Sequence, residues 1–172
     1  MIPAQPVICF VPRSGLVTAM SLRTFNKLGV RFEYPSTWEL SEEERGDGHT
    51  ISLQSPGTAF WTLTIFEASL EPDELIEAAI ETYREEYHNV DVYDRNENLI
   101  HAHAAGADLE FVCFDWVAYA GLRAIQSVER TLLVVFQGND QEDAALKQDL
   151  EEMTRSLKSD DFPVDPTDLL DE

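Results

Sequence analysis

The chain lacks the short motifs by which most enzymes and cofactor-binding proteins are recognised. It has no Gly-x-Ser-x-Gly frame, no phosphate-binding glycine loop, no Cys-x-x-Cys and no His-Glu-x-x-His. No apolar run approaches the ~20 residues that span a bilayer. Cys9 and Cys113 are too few for a disulfide framework, and the apolar neighbours of Cys113 suit a small buried hydrophobe. We therefore expect no cofactor, no enzymatic activity and no oxidising compartment.

Basic residues are also scarce, since 12 lysines and arginines stand against 33 acids and give a net charge of −21 at pH 7. All of the acids lie from Glu33 onward. An acidic field repels the phosphates of nucleic acids and of anionic lipids, so we expect no binding to nucleic acid or to membranes. The charge has two interpretations: it serves solubility alone, or it attracts a partner with a basic surface.

The two ends of the chain differ from its middle. Residues 1–23 lack a basic n-region, and three prolines interrupt their apolar part, so we expect no signal peptide, a cytoplasmic protein and a poorly ordered appendage. Residues 159–172 contain six acids, no base and two prolines, which is typical of a disordered acidic tail. Residues 24–158 are predicted to form a single domain.

The middle of the chain is organised around the stretch from Ala107 to Gly138. Its three apolar, β-branched and aromatic runs predict an antiparallel meander. We predict turns at Ala104–Gly106, at Ala120–Gly121 and at Glu129–Arg130. The run 41–48, SEEERGDG, is predicted to be a solvated loop or a short helical turn.

Two segments have the hydrophobic period of a helix. One covers Pro72 to Tyr87 and opens with a proline and acids, and the other covers Asp140 to Leu157. Sequential strands joined by short turns make the sheet antiparallel. The predicted fold class is α+β, an α/β/α sandwich in which two main helices flank a central antiparallel β-sheet of about six to seven strands.

One short motif and the order of the elements carry a family resemblance. The motif runs from Phe32 to Trp38, FEYPSTW, and the segment from Glu71 to Leu75, EPDEL, opens the first helix. Over residues 24–158 this layout resembles the PsbP-like superfamily, whose members begin with a strand that runs into a Tyr-Pro-x-x-Trp step.

The resemblance implies an α/β/α sandwich that binds other proteins. Branches of the superfamily include the photosystem II extrinsic subunit, a Ran-GTPase-binding nuclear transport protein and bacterial adaptors that load secretion effectors. It implies no catalytic residues for this chain. We expect a non-enzymatic, adaptor-like or chaperone-like domain, as a monomer or a weak homodimer, whose partner offers a basic surface or an amphipathic helix.

An alternative function depends on two histidines. His101 and His103 are two residues apart in a predicted strand, so they point to one face. With a turn at Ala105–Gly106, His103 would lie opposite Asp108 and His101 opposite Glu110. Two imidazoles and two carboxylates are suitable ligands for zinc or another divalent metal, in a binding protein or an enzyme. The other interpretation is a pair of ordinary cross-strand contacts.

Two further groups are candidates. Asp115 lies on a face that is otherwise apolar, opposite Gln126 in the predicted hairpin, and either is a functional acid or forms a buried hydrogen bond that fixes the register. Trp38, Trp61 and Trp116 either form a partner surface or belong to the core.

Overall fold

A computed structural model describes residues 21–100 and 102–162. Two helices and eleven strands follow one another in the described part of the chain. They are β1 (Leu22–Lys27), β2 (Val30–Pro35), β3 (Glu39–Arg45), β4 (Gly48–Gln54), β5 (Phe60–Phe66), α1 (Pro72–Glu86), β6 (Asp91–Asp94), β7 (Glu97–Leu99), β8 (Ala102–Cys113), β9 (Trp116–Gln126), β10 (Thr131–Asn139), α2 (Ala145–Arg155) and β11 (Lys158–Ser159).

The strands form one large and one small antiparallel sheet. The large sheet has eight strands in the order β3-β4-β5-β10-β9-β8-β6, and β7 pairs with β8 next to β6. The small sheet has the order β1-β2-β11. The α+β class and the antiparallel central sheet are therefore confirmed.

Each face of the large sheet has its own cover. The helix α1 packs Ile76 and Ile80 against β8 and β9, where Leu109 and Leu122 are buried. The small sheet and α2 cover the opposite face, and their core includes Phe32 and Trp61. The two predicted helices thus lie on opposite faces, and the small sheet is an additional part of the second layer. Neither helix in the described residues is long and apolar enough to cross a membrane.

Two predicted turns are wrong because glycine was taken as a turn signal. Strand β8 runs through Ala104–Gly106 and β9 runs through Ala120–Gly121 without interruption. The turn between them is Phe114–Asp115, where both residues have positive φ, 50° and 69°. The predicted turn at Glu129–Arg130 does separate β9 from β10.

Other bounds also differ from the sequence prediction. Most of the run 41–48, predicted as a loop or helical turn, forms β3 and the turn that follows it, because β3 is an edge strand and its charged side chains face solvent. The strand β1 begins two residues before the predicted domain boundary. Ser159, predicted to begin the tail, pairs with Val30, and Asp161 accepts a hydrogen bond from Arg130. The remaining residues of the predicted appendage and tail, 1–20 and 163–172, lie outside the described residues.

One buried hydrogen bond joins α2 to the large sheet. The indole Nε1 of Trp61 donates to Oγ1 of Thr154 at 2.9 Å, and the same hydroxyl donates to the carbonyl of Leu150 at 2.9 Å. We expect Thr154→Val to leave the buried indole N–H without a partner and to lower the free energy of unfolding by about 1–3 kcal/mol. Chemical denaturation measures this change.

A matched control is Thr82→Val in α1. Its hydroxyl also bonds a carbonyl four residues earlier, that of Ala78 at 3.0 Å, but it is exposed. We expect this variant to stay within about 0.5 kcal/mol of the parent chain. Equal losses in the two variants would show that the indole bond contributes nothing.

Candidate functional site

The His103–Asp108 pair proposed for a metal does not form, and Glu110 lies opposite Asp91 and Tyr119. His103 pairs with Asn98 on β7, while Asp108 lies between Tyr93 and Gly121. The premise of the pairing, a turn at Ala105–Gly106, is wrong because β8 continues through these residues. His101 lies outside the described residues. Among residues 21–100 and 102–162, no three His, Cys, Asp or Glu side chains are grouped for a metal ion.

Asp115 does not form the predicted buried pair with Gln126. It is exposed in the hairpin turn between β8 and β9, whereas Gln126 pairs with Thr131 and donates to Oγ of Ser69 at 3.0 Å. The misplaced turn at Ala120–Gly121 explains this error. Cys113 is half-buried and directly precedes the actual turn at Phe114–Asp115.

The three tryptophans divide between core and surface. Trp38 and Trp61 are buried in the core on the α2 side of the large sheet. Trp116 is 43% exposed. Only the last of them therefore belongs to a surface that a partner can reach.

Trp116 is one of four exposed apolar side chains at the end of the β8–β9 hairpin, and by alternation it lies on the α1 side of the sheet. The other exposed members are Val112, Val117 and Phe114, which is 88% exposed. We call these four side chains the hairpin tip. Val112 and Val117 lie directly opposite one another on the α2 side of the sheet. Exposed apolar side chains that are grouped, as these are along six residues of one hairpin, are a common feature of surfaces that bind another molecule.

The backbone of the hairpin tip is strained. A two-residue turn with positive φ favours Asn-Gly or Asp-Gly, because a Cβ crowds the backbone in this conformation. Here the first position is Phe114, whose φ is 50°. Strain of this kind, combined with exposure, is common where a side chain serves binding instead of folding.

A groove lies next to the hairpin tip, between the large sheet and α2. Its volume is about 230 Å³. We call it the α2-side groove, and the side chains that line it come from β6, β8, β9, β10 and α2: Tyr93, Asp108, Glu110, Tyr119, Phe136, Lys147 and Glu151.

Two glycines shape the floor of the α2-side groove. A Cβ on Gly121 would lie 2.1 Å from Cζ of Phe136, and a Cβ on Gly138 would lie 2.4 Å from the hydroxyl of Tyr119. The far end of each aromatic ring therefore lies over the glycine opposite it. The floor of the groove is therefore aromatic at these two positions, where it would otherwise be bare backbone.

A buried arginine holds the inner end of the groove. Arg123 is 2% exposed, and its Nε binds Glu97 while Nη2 donates to Asp108 at 2.9 Å. Arg95 donates to the second oxygen of Asp108 at 2.7 Å. The sequence prediction missed Arg123, although it is the only lysine or arginine between Arg95 and Arg130 and stands in an apolar run.

The outer end of the groove is electronegative. Burial, together with the carboxylates of Glu142, Glu151 and Asp149, raises the pKa of Tyr119 to about 12, so its hydroxyl is neutral. The ammonium of Lys147 lies 5.2 Å from the centre of the same ring. This arrangement suits a cation, which is favoured over a ring face and near carboxylates.

A second groove lies on the other flank of α2, against the small sheet. Its volume is about 550 Å³. Leu146 and Met153 form apolar lining, and acids that include Asp143, Asp149 and Glu152 surround them. Burial, and then the neighbouring carboxylates of Glu152 and Asp143, raises the pKa of Asp149.

Comparison with known proteins supports the fold. No family model and no curated protein matches the chain. Solved structures are similar to it at low sequence identity. The solution structure of cyanobacterial PsbP (CyanoP) from Synechocystis sp. PCC 6803 has a TM-score of 0.58 at 9% identity and covers 87% of this chain and 98% of its own. The predicted PsbP-like fold is confirmed by this likeness.

Two other structures are similar over most of the chain. LpqN of Mycobacterium tuberculosis, described as involved in cell envelope biogenesis, has a TM-score of 0.52 at 11% identity and covers 81% of this chain and 91% of its own. A protein of Bacteroides thetaiotaomicron VPI-5482 has a TM-score of 0.51 at 14% identity over 83% of this chain. The chain spans about half of the Bacteroides protein, 52% of its length.

The network around Arg123 leads to a stability prediction. In Arg123→Met, the carboxylates of Glu97 and Asp108 lose a guanidinium in a partly buried site, so we expect the free energy of unfolding to fall by about 3 kcal/mol. Arg84→Met is the control, because it removes an exposed ion pair with Glu81 at 2.9 Å and should cost less than about 1 kcal/mol. Similar losses in the two variants would contradict the stated role of Arg123.

The crowded carboxylates beside α2 lead to a prediction on pH. Because the pKa of Asp149 is raised in the folded state, its ionised form destabilises the fold, and this loss grows as the pH rises through the folded-state pKa. We expect Asp149→Asn to increase the free energy of unfolding at neutral pH and to leave it unchanged below pH 3.8, the ordinary pKa. Denaturation curves over this pH range measure the difference. A matched change on the solvent face of α1, Glu77→Gln, should have no effect, and a pH-independent gain in Asp149→Asn would contradict the explanation.

Proposed function

We propose that this chain is a non-enzymatic binding domain whose partner is another protein. The hairpin tip carries this proposal. Four exposed apolar side chains lie within one hairpin end on a protein with a net charge of −21, and one of them occupies a strained turn position. A solvated turn would be more stable with Asn or Gly at that position, so the phenylalanine has a cost that a bound partner offsets.

The side chains at and around the hairpin tip indicate what kind of surface the partner would offer. Phe114 and Trp116 are side chains of the kind that dominate binding energy when they enter an apolar pocket. Asp115 is exposed between them, and Asp140 follows β10, where its backbone N–H donates to the carbonyl of Val117 at 2.9 Å. We therefore infer that the partner offers an apolar pocket with a basic rim. The same acids oppose an anionic membrane surface.

A cytoplasmic location and a monomeric or weakly dimeric state belong to the same proposal. A basic partner accelerates association with an acidic protein, and this effect weakens with salt. Fractionation of cells and sedimentation of the purified chain test these two parts separately from the partner itself.

The test uses a variant that separates binding from folding. Asn tolerates positive φ, so Phe114→Asn should leave the free energy of unfolding unchanged or raise it by up to about 1 kcal/mol. The same change should weaken capture of the partner at least about tenfold, because it removes a central aromatic anchor. The measurement compares the proteins retained from native lysate, at low and high salt, by the parent chain and the variant.

The control variant is Val128→Asn. Val128 is 93% exposed in the turn between β9 and β10, so it is an equally exposed apolar side chain away from the hairpin tip. Proteins retained by this variant and lost from Phe114→Asn support the proposal. Identical retention of proteins by both variants would overturn the proposal. A second measurement is co-sedimentation of each chain with phosphatidylcholine–phosphatidylglycerol vesicles. If the parent chain sediments with these vesicles and Phe114→Asn does not, while both retain the same proteins, the tip binds lipid and the proposal is wrong.

A further inference from the structure

We propose that the α2-side groove binds an alkylammonium or guanidinium group, either as a small free amine or as the side chain of a basic residue. The site goes beyond the hairpin tip, because other side chains form it. Its volume of about 230 Å³ is several times the roughly 30 Å³ of one water molecule, which leaves room for such a group and its alkyl stem.

The register of the sheet concentrates negative charge at the mouth of this groove. Asp91, Glu110 and Tyr119 lie side by side on three neighbouring strands. Like charges directly opposite one another on a sheet are unfavourable, and a bound cation between them relieves this repulsion. Glu110 is exposed, so its carboxylate is accessible from solvent.

The aromatic side chains supply the second half of the recognition. Tyr93, Tyr119 and Phe136 line the same groove, and the last two extend over Gly138 and Gly121 at its floor. The contact between Lys147 and the ring of Tyr119 shows that a cation already occupies this ring face from within the chain. Lys147 is exposed on α2, so an external cation can replace it over the ring.

A second position for the cation, at Asp108 on the inner end of the groove, is already occupied by arginines of the chain. Asp108 already bonds both Arg95 and Arg123, and the guanidinium of Arg123 lies 5.9 Å from the centre of the Phe136 ring. The ligand therefore binds at the outer end, between Glu110 and Tyr119. The chain itself provides a pattern for the interaction, since Arg123 uses a ring and carboxylates in the same way.

The experiment is an NMR titration of the full chain with matched probes. Agmatine tests a free guanidinium, an acetylated Ala-Arg-Ala amide tests a basic side chain, and the same peptide with citrulline in place of arginine is the neutral control. We expect the charged probes to shift the signals of Tyr93, Glu110 and Tyr119, less strongly as salt is added. Agmatine alone shifting these signals identifies the free amine, and stronger binding of the peptide identifies a side chain.

Four substitutions in the groove and one control outside it test where the ligand binds. We expect Glu110→Gln and Tyr119→Leu each to weaken binding about three- to fivefold. Tyr119→Phe keeps the ring and should bind like the parent chain. Lys147→Gln should strengthen binding by a similar factor, because it removes the internal competitor. Glu85→Gln, on the other face of the sheet, should leave binding unchanged. Equal shifts with the citrulline peptide, or unchanged affinity in Glu110→Gln and Tyr119→Leu, would overturn the proposal.

The test is independent of the hairpin tip. Phe114→Asn leaves every side chain of the α2-side groove in place, so it should bind agmatine or the arginine peptide like the parent chain. If that variant loses its protein partner while no charged probe binds to either form, the groove proposal is wrong and the proposed function stands. If the charged probes bind to both forms while Phe114→Asn retains the same proteins as the parent chain, the function proposed for the hairpin tip is wrong and the groove proposal is supported.

Discussion

The pairing register of β8, β9 and β10 is the constraint on which both surfaces depend. It places Asp108 opposite Gly121, and Gly121 opposite Phe136, on the α2 side of the sheet. The alternate residues, which include Leu109 and Leu122, then face α1 and are buried there. A shift by one residue would exchange the two faces, so that the carboxylates would lie under α1 and the leucines in the groove. Burial under α1 thus specifies the geometry of the opposite face.

Much of the fold was predictable from the sequence, because it depends on hydrophobic period. Period-2 alternation indicated β2 and β5, and the proline and acids at Pro72 to Glu74 marked the beginning of α1. Two of the three turns predicted in this region were wrong, and local sequence does not show where the chain reverses there. Position 121 requires glycine because the Phe136 ring occupies the place of a Cβ. Local sequence cannot show such a tertiary contact, so the glycine was taken for a turn residue. The turn at Phe114 uses a residue that turn chemistry disfavours, so no local rule identifies it.

The candidate site was predictable only in part, and the misplaced turns are the reason. Asp108 and Glu110 were singled out as possible metal ligands, with histidines as their expected neighbours. Their neighbours are Arg123 and Tyr119, which the true register brings to the same face. Lys147 arrives from α2, far along the chain, and no pattern in the strands indicates it. A single base in an apolar strand was the one local signal, since burying a charge requires partners.

The hairpin tip and the α2-side groove follow one another along the same two strands, which has a consequence for recognition. On β8 the residues Val112 and Glu110 are two positions apart, and Val117 and Tyr119 occupy the matching positions on β9. Two positions on a strand correspond to about 7 Å, so a short segment of the proposed partner would reach both surfaces. Such a segment would place an apolar side chain at the tip and a basic one a few residues away. The ion pairs of Arg123 hold the floor beneath it in place, so little ordering of the site is needed when the segment binds.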